Sequence, residues 1–272
     1  MDECHGCKAT VLSNIMGKCI NAFVRIGLSG SLDGSQVMET SLIGHFGPIK
    51  RVISTRELMD AGKVSDLIVK SVVLKYPDSM REEMFYRDAD NKKKRIVYKE
   101  EIAEIVKNEK RNRFICQLAN SAKGNTLVLT TLVKEHCIPL FEMMKEMYPE
   151  KEVFFIGSSV PAQDRERIRK LVETKENVVI FASYSIFSTG ISIKRLHNVI
   201  LASPSKSVIR IIQTIGRVLR LHESKDRATV FDIVDDMRCG LKSLNYALSH
   251  FMDRVKIYQK EKFEMKIMEI KL

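Results

Sequence analysis

Residues 126–183, TLVLTTLVKEHCIPLFEMMKEMYPEKEVFFIGSSVPAQDRERIRKLVETKENVVIFAS, decide the fold. Short apolar runs rich in Val, Ile, Leu and Phe alternate here with two longer segments, 134–147 and 160–174. The runs predict strands buried on both faces, and the longer segments predict helices. Buried strands separated by helices are typical of a parallel sheet in the α/β class.

The same alternation continues on both sides of this stretch. Further strands are predicted at 67–76, 198–204 and 228–236, and further helices at 98–124, ending at Gly124, and 207–222. In a sheet of this kind, the functional loops are expected after the carboxyl ends of the strands.

The two ends of the chain follow other patterns. The first 65 residues are too few for a complete α/β domain, and they are interpreted as the end of one. Within them, VRIGLSGSL (24–32) predicts a strand that ends in a Gly/Ser loop, and 45–66 predicts a connector with a short helix. Apolar residues at helical spacing between 244 and 258 predict a helix that docks on the body.

Composition favours a globular protein inside the cell with an anionic partner. Apolar residues make up 44% of the 272, and no apolar run approaches the ~20 residues of a membrane helix. There is no signal peptide pattern, so we expect a cytoplasmic protein without membrane contact. The net charge of +11 favours nucleic acid. The six cysteines are scattered, which fits a reducing compartment.

The opening MDECHGC (1–7) admits two bland alternatives. Cys4, His5 and Cys7 could begin a zinc site, but structural zinc takes four ligands and no second Cys-x-x-Cys follows. The same cysteines could form a redox pair, but no thioredoxin-like strand precedes them.

The most specific stretch is IIQTIGRVLRLH (211–222), with the pattern Q-x-x-G-R-x-x-R. On a helix, Gln213, Arg217 and Arg220 share one face. Guanidinium groups suit phosphate oxygens. A solvated surface helix is the plainer interpretation, but it leaves Gly216 unexplained, because a glycine inside a helix costs about 1 kcal/mol.

A Ser-Thr-Gly turn at 188–190 lies upstream of this helix. Gly190 allows backbone amides to face a phosphate, and Ser188 and Thr189 add hydroxyl donors. Alone, such a loop is usually only a turn.

Together these stretches resemble the motifs of superfamily 2 helicases. FSTGISIKRLHNVIL (187–201) and QTIGRVLR (213–220) resemble motifs V and VI. GLSGSL (27–32) resembles motif III, DECH (2–5) resembles the DExH form of motif II, and NTLVLTTLVKEH (125–136) lies where motif IV is expected. Because the order is also that of the family, the chain is identified as a member, most similar to phage recombination helicases from motif II onward.

The resemblance implies a RecA-like parallel sheet flanked by helices at 66–238, the helicase C-terminal domain. Residues 1–65 would be the remnant of a first RecA-like domain with its connector, and 239–272 a C-terminal helical tail. The family couples ATP hydrolysis, with Mg²⁺, to translocation on branched DNA in recombination and fork repair. ATP, Mg²⁺ and DNA junctions are therefore the expected cofactors and partner.

The resemblance also assigns roles to residues. The expected catalytic residues are Asp2, Glu3, His5, Gln213, Arg217 and Arg220. The expected nucleotide contacts and relays are Ser29, Ser31 and Gly190, and the expected DNA contacts are Thr130, Thr189 and Lys194. Asp2 would hold Mg²⁺ through water, Glu3 would activate the attacking water, and one of the two arginines would be the arginine finger. Ser192 stands where many relatives have an acid, so the ribose contact has no counterpart there.

The sequence contains no phosphate-binding loop of the form G-x-x-x-x-G-K-[ST]. Gly17-Lys18-Cys19 lacks the first glycine and the hydroxyl, and we interpret it as part of an amphipathic helix. We therefore expect a split or truncated helicase, inactive without a separate chain that carries the P-loop, with Asp2 and Glu3 on a free terminus. The alternative is an inactive DNA-binding or regulatory remnant in which NKKKR (91–95) lines a groove.

Overall fold

The structure, a computed structural model, describes residues 1–7, 9–30, 32, 36–87, 93–188, 193–204, 207–238 and 244–272. The strands are β1 Asp66–Lys75, β2 Phe85–Arg87, β3 Lys93–Arg95, β4 Thr126–Thr130, β5 Val153–Ile156, β6 Val179–Ser183, β7 Asn198–Leu201, β8 Arg227–Asp236 and β9 Glu264–Lys271. The α-helices are α1 Ala9–Lys18, α2 Gln36–Phe46, α3 Thr55–Asp60, α4 Asp78–Glu83, α5 Tyr98–Lys107, α6 Glu109–Ser121, α7 Ile138–Met147, α8 Ala162–Thr174, α9 Tyr184–Ser188, α10 Val208–Val218 and α11 Tyr246–Lys260. Within these ranges, no helix is both long and apolar enough to cross a membrane.

The centre of the molecule is a parallel sheet with strand order β5-β6-β4-β7-β8-β1-β9. Every residue of β4, β6 and β7 is buried, as expected for strands covered on both faces. The prediction of an α/β fold with a parallel sheet is confirmed.

Apolar side chains pack on both faces of the sheet. Along β4, Leu127 and Leu129 belong to the cluster on one face, whereas Val128 belongs to the cluster on the other. The alternation follows from the two-residue period of a strand. Helices cover both faces, so chemistry is left to the strand ends and loops.

The C-terminal segment differs from the predicted helical tail. The helix is present as α11, but β9 follows it and pairs in parallel with β1, from Ile68 opposite Glu264 to Lys75 opposite Lys271. The tail therefore supplies an edge strand of the main sheet. Its charged residues keep much of the strand exposed, which is a common property of sheet edges.

The predicted helix over 98–124 is two helices, α5 and α6. The break falls at Asn108, whose side-chain oxygen accepts a hydrogen bond from the amide of Arg111 at 2.9 Å and so caps α6. The preceding polar stretch contains α4 and the hairpin of β2 and β3, which the sequence did not predict.

Residues 1–65, here called the N-terminal unit, have a small apolar cluster of their own. Leu12 and Met16 of α1 pack with Cys4 and with Leu42 of α2. Gly17 and Lys18 lie at the end of α1, so this Gly-Lys pair is part of a helix, as predicted, and not of a phosphate-binding loop. The connector contains the expected short helix, α3.

The predicted strand over 24–32 is wrong within its described residues, which have no strand assignment. The chain runs instead beside the N-terminus. The Met1 ammonium donates to the carbonyl of Ile26 at 2.6 Å, Leu28 N donates to Met1 O at 2.9 Å, and Cys4 N donates to Leu28 O at 3.1 Å. The expectation that Asp2 and Glu3 sit on a free terminus is therefore wrong.

Candidate functional site

The candidate site begins at the N-terminal turn, where an acid, a histidine and a serine meet. His5 Nδ1 lies 2.7 Å from Ser29 Oγ and 3.2 Å from Glu3 Oε2. The structure thus brings together three side chains that the resemblance assigns to motifs II and III. His5 is largely covered, with 9% of its side chain exposed, whereas the Glu3 side chain is 56% exposed and open to solvent.

The backbone at Glu3 is strained. Its φ is 47°, in the left-handed region that residues with a Cβ seldom adopt. Its amide is held by Asp2 Oδ1 at 2.9 Å. Strained backbone of this kind is often found at functional sites.

Helix α10 presents the second half of the site. Gln213 Nε2 donates to Glu3 Oε1 at 3.5 Å, the outer limit of hydrogen bonding. Glu3 also acts electrostatically on Arg217. The DECH turn and the QTIGRVLR helix, which lie more than 200 residues apart in sequence, therefore face each other.

The two arginines lie close enough to influence each other. Burial lowers the pKa of Arg217, the nearby charge of Arg220 lowers it further, and Glu3 opposes both effects. The guanidinium of Arg217 also lies 5.9 Å from the ring centroid of Phe187, within cation–π range. Two guanidinium groups thus lie near each other, with the Glu3 carboxylate acting on one of them, and such positive charge attracts phosphate.

Arg220 lies beyond the helix rather than on it. Helix α10 ends at Val218, so the prediction that Gln213, Arg217 and Arg220 share one helical face holds only for the first two. Arg220 is exposed. The position of Gly216 is open, since a Cβ there would meet no described atom within 4 Å outside its own helix backbone and its chain neighbours.

The predicted nucleotide and DNA contacts are only partly within the described residues. Ser31, Thr189 and Gly190 lie outside them. Lys194 is exposed, and its amide donates to Glu173 Oε1 at 2.7 Å. Thr130 is fully buried, and its hydroxyl donates to Leu132 O at 3.4 Å.

Burial of Thr130 does not fit a DNA contact, so this assignment is corrected. Its neighbour Thr131 is exposed at the carboxyl end of β4 and was missed. The alternation of a strand could have indicated it, because successive side chains point in opposite directions.

The cysteine alternatives lose support. Cys4 is buried in an apolar cluster with Cys7 at its border, and burial raises the pKa of the Cys4 thiol, which disfavours the reactive thiolate. Across the part of the chain that the structure describes, no group of three or more His, Cys, Asp or Glu side chains could hold a metal ion.

A buried polar network, which the sequence did not indicate, joins the carboxyl ends of β1, β4, β7 and β8. The fully buried Arg111 donates from Nε to Asp235 Oδ1 at 2.7 Å and from Nη2 to Ala202 O at 2.7 Å. His136 Nδ1 lies 3.0 Å from Ser203 Oγ, which also accepts from the amide of Thr131 at 3.1 Å. The network fixes the loops that follow the strands.

Comparison with known proteins identifies the family. The family model described as helicase conserved C-terminal domain matches residues 109–222. The chain is 37% identical to the ATP-dependent DNA helicase uvsW of Enterobacteria phage T4 over 96% of its own length and 52% of the relative's. The chain belongs to the superfamily 2 helicases.

Solved structures agree with this membership. The crystal structure of T4 UvsW superposes on 99% of this helicase chain with a TM-score of 0.63 and 34% identity. A fragment of a putative HsdR subunit of a type I restriction enzyme from Vibrio vulnificus covers 90% of it with a TM-score of 0.63 at 16% identity, which shows the fold alone. The RecA-like helicase C-terminal fold is confirmed.

The helicase chain spans about half the length of the curated relatives it matches, 52% for the T4 protein and 46% for a putative helicase of a Sulfolobus islandicus filamentous virus.

Proposed function

We propose that this chain supplies the C-terminal portion of an ATP-dependent DNA helicase or translocase that acts on branched DNA in recombination and replication-fork repair. The observation that carries the proposal is the approach of Gln213 and Arg217 to Glu3. It supports a nucleotide site between the acidic turn and Arg217, with Arg220 close to Arg217. The 37% identical T4 relative is named as an ATP-dependent DNA helicase.

The residues present fit part of an ATP–Mg²⁺ site. Asp2 is exposed and offers carboxylate oxygen, the donor that Mg²⁺ prefers, and Mg²⁺ usually keeps several of its waters. Bound Mg²⁺ would neutralise charge on the phosphates. Glu3 would orient the attacking water, with His5 linking it to Ser29, and Gln213 would position the nucleotide. Ser31 and Gly190 remain proposed nucleotide-side residues.

Arg217 and Arg220 would neutralise charge that develops on the transferred phosphoryl group. An arginine finger contributes about 10³ to 10⁵ in rate in nucleotide hydrolysis. Arg220 is the better candidate, because it is exposed, whereas Arg217 is half-buried against Phe187.

DNA would run over the carboxyl ends of the strands. Thr131 is exposed there, Lys194 is exposed on the segment before β7, Thr189 is a further candidate by resemblance, and the net charge of +11 supports a polyanionic partner. Contacts to phosphates predict an affinity that falls steeply with salt concentration.

Hydrolysis requires a phosphate-binding loop, and the N-terminal unit, residues 1–65, exposes an apolar surface suited to an interface. Phe23 is fully exposed, and Val24, Ile26 and Leu28 are 76%, 62% and 58% exposed. A run of exposed apolar side chains marks an interaction site. We propose that a polypeptide with the P-loop half covers this surface.

The test is complementation. The 272-residue chain alone should show ATPase activity near background, and addition of a P-loop half from a similar helicase should restore DNA-stimulated hydrolysis. Arg220→Ala should then lower kcat by about 10³ or more, whereas Arg113→Ala, on the exposed face of α6, should not.

The rival is a DNA-binding or regulatory module without catalysis. Salt-sensitive DNA binding without any restored hydrolysis would support the module. Robust ATP turnover by the chain alone would contradict the split helicase.

A further inference from the structure

Lys225 is a buried lysine that fastens two functional segments to each other. Only 7% of the residue is exposed. Its Nζ donates to Val218 O at 2.6 Å and to Leu196 O at 2.7 Å. Val218 is the last residue of α10, and Leu196 lies within the motif V stretch, 187–201. One ammonium group therefore holds the main chain of both segments.

At the end of α10, Lys225 satisfies a carbonyl that the helix itself leaves without a partner. A cation is favourable there because the carboxyl end of a helix carries partial negative charge. The next carbonyl, of Leu219, accepts from the amide of the buried Ser65 at 2.8 Å. Arg217 and Arg220 flank these two fixed carbonyls, so the main chain that carries both arginines has a defined position.

The motif V segment that Lys225 contacts, residues 193–197, is also held by an acid. Glu173 of α8 accepts hydrogen bonds from the amides of Lys194 at 2.7 Å and Arg195 at 3.1 Å. The same Glu173 is the acid whose charge acts on Lys225. Lys225 and Glu173 thus both hold the main chain of this segment.

Burial of the ammonium group is costly. Desolvation lowers the pKa of Lys225 to about 8, and Glu173 opposes the shift. A lysine in an apolar setting is not needed for packing, since an apolar residue of similar length would avoid this cost. What an apolar residue cannot do is donate to both carbonyls.

We propose that Lys225 is a positioning residue that couples the motif V segment to the motif VI arginines. It would keep Arg217 and Arg220 at a fixed distance from residues 193–197, so that a shift of one segment moves the other. The coupling rests on the proposed function, because it assumes that these arginines act on a nucleotide.

The two hydrogen bonds from Lys225 to Leu196 O and Val218 O are here called the Lys225 clamp. Hydrogen exchange of the full 272-residue chain tests this clamp without any measurement of activity. In Lys225→Met, amides of 193–197 and 215–221 should exchange roughly tenfold faster, because one charged donor to both segments is lost. Amides of β4 and β6 should keep their rates. Arg254→Met is the matched control, since it removes a buried cation whose described hydrogen bonds go to Asp232 at 2.9 Å and not to either segment. Unchanged rates in both segments, or equal acceleration in the control, would overturn the proposal.

Activity supplies a second test. With the P-loop half added, Lys225→Met should lower kcat while the KM for ATP stays within about twofold, and Lys225→Arg should recover part of kcat. An unchanged kcat would overturn the proposal. If the wild-type complex hydrolyses no ATP, the proposed function fails, and the exchange result still decides the role of Lys225.

A titration covers the case in which Lys225→Met does not fold. In the wild-type chain, side-chain NMR should find the Lys225 ammonium titrating near pH 8. Lys225 ammonium protons that exchange with water as fast as those of an exposed lysine would show that Nζ is not held between the carbonyls and would overturn the proposal.

Discussion

His136 is held neutral inside the protein. Its ring nitrogens lie 3.0 Å from Ser203 Oγ and 3.3 Å from Asn112 Oδ1, and Arg111 Nη1 lies 3.4 Å from Nε2. Burial first, and then the charge of Arg111, keep the pKa of His136 well below its ordinary 6.5. Asp235 neutralises Arg111, so the network has no need of a second cation.

This histidine predicts a dependence of stability on pH. Below pH 6.5 the unfolded chain takes up a proton at His136 that the folded chain does not. The free energy of unfolding therefore decreases as the pH is lowered. Between pH 7.5 and 5.5, the wild-type protein should lose about 1.4 kcal/mol more than His136→Asn. Urea unfolding at the two pH values measures the difference, and equal losses would show that His136 protonates in the folded state.

At the scale of single elements, Asn108 decides where a long helical segment divides. Its side chain caps α6, and its backbone, with φ −66° and ψ 110°, leaves the helical region. Arg111, whose amide receives this cap, carries the guanidinium that binds Asp235. The cap therefore orients α6 and its buried charge together.

A set of substitutions at Asn108 tests this function. Asn108→Ala should lower the free energy of unfolding by about 1 kcal/mol, whereas Asn108→Asp should keep the cap and Asn108→Gly should cost only a few tenths. Chemical denaturation gives all three values. If Asn108→Asp lowers the free energy of unfolding as much as Asn108→Ala does, the side-chain amide nitrogen, which also donates to Met80 Sδ at 3.4 Å, matters more than the cap.

The buried strands and the motif VI helix could be predicted because their periodicity is local. β4 and β6 read as continuous apolar runs, and α10 keeps helical spacing. The break at Asn108 and the strand β9 could not be predicted in this way. The break depends on one side chain that can either stay helical or cap, and β9 depends on pairing with a distant strand.

The candidate site divides in the same way. Gln213, Arg217 and Glu3 follow from motifs, and the structure brings them together. The burial of Thr130 and the clamp by Lys225 depend on packing between segments that are distant in sequence. Short-range patterns carry no signal for such contacts.

At the scale of the whole molecule, the exposed apolar surface of the N-terminal unit leads to a prediction about its association with a P-loop half. Phe23→Ser should weaken association with a P-loop half by roughly tenfold or more, as for an interface hot spot. It should leave the stability of the chain unchanged, because Phe23 is fully exposed. Met252→Ser on α11, 48% exposed, is the control. Titration calorimetry gives both affinities, and an equal effect of the two variants would place the interface elsewhere.

The position of β1 between β8 and β9 sets the order in which this protein can be built. As the chain leaves the ribosome, β1 (66–75) emerges before both of its neighbours in the sheet, residues 227–236 and 264–271. Contacts between residues so far apart in sequence slow folding, because the intervening chain must first be brought together. During synthesis, the apolar strand β1 waits without a partner, which exposes the nascent chain to aggregation. We expect refolding to be limited by docking of β1, after β4, β6 and β7 have already formed.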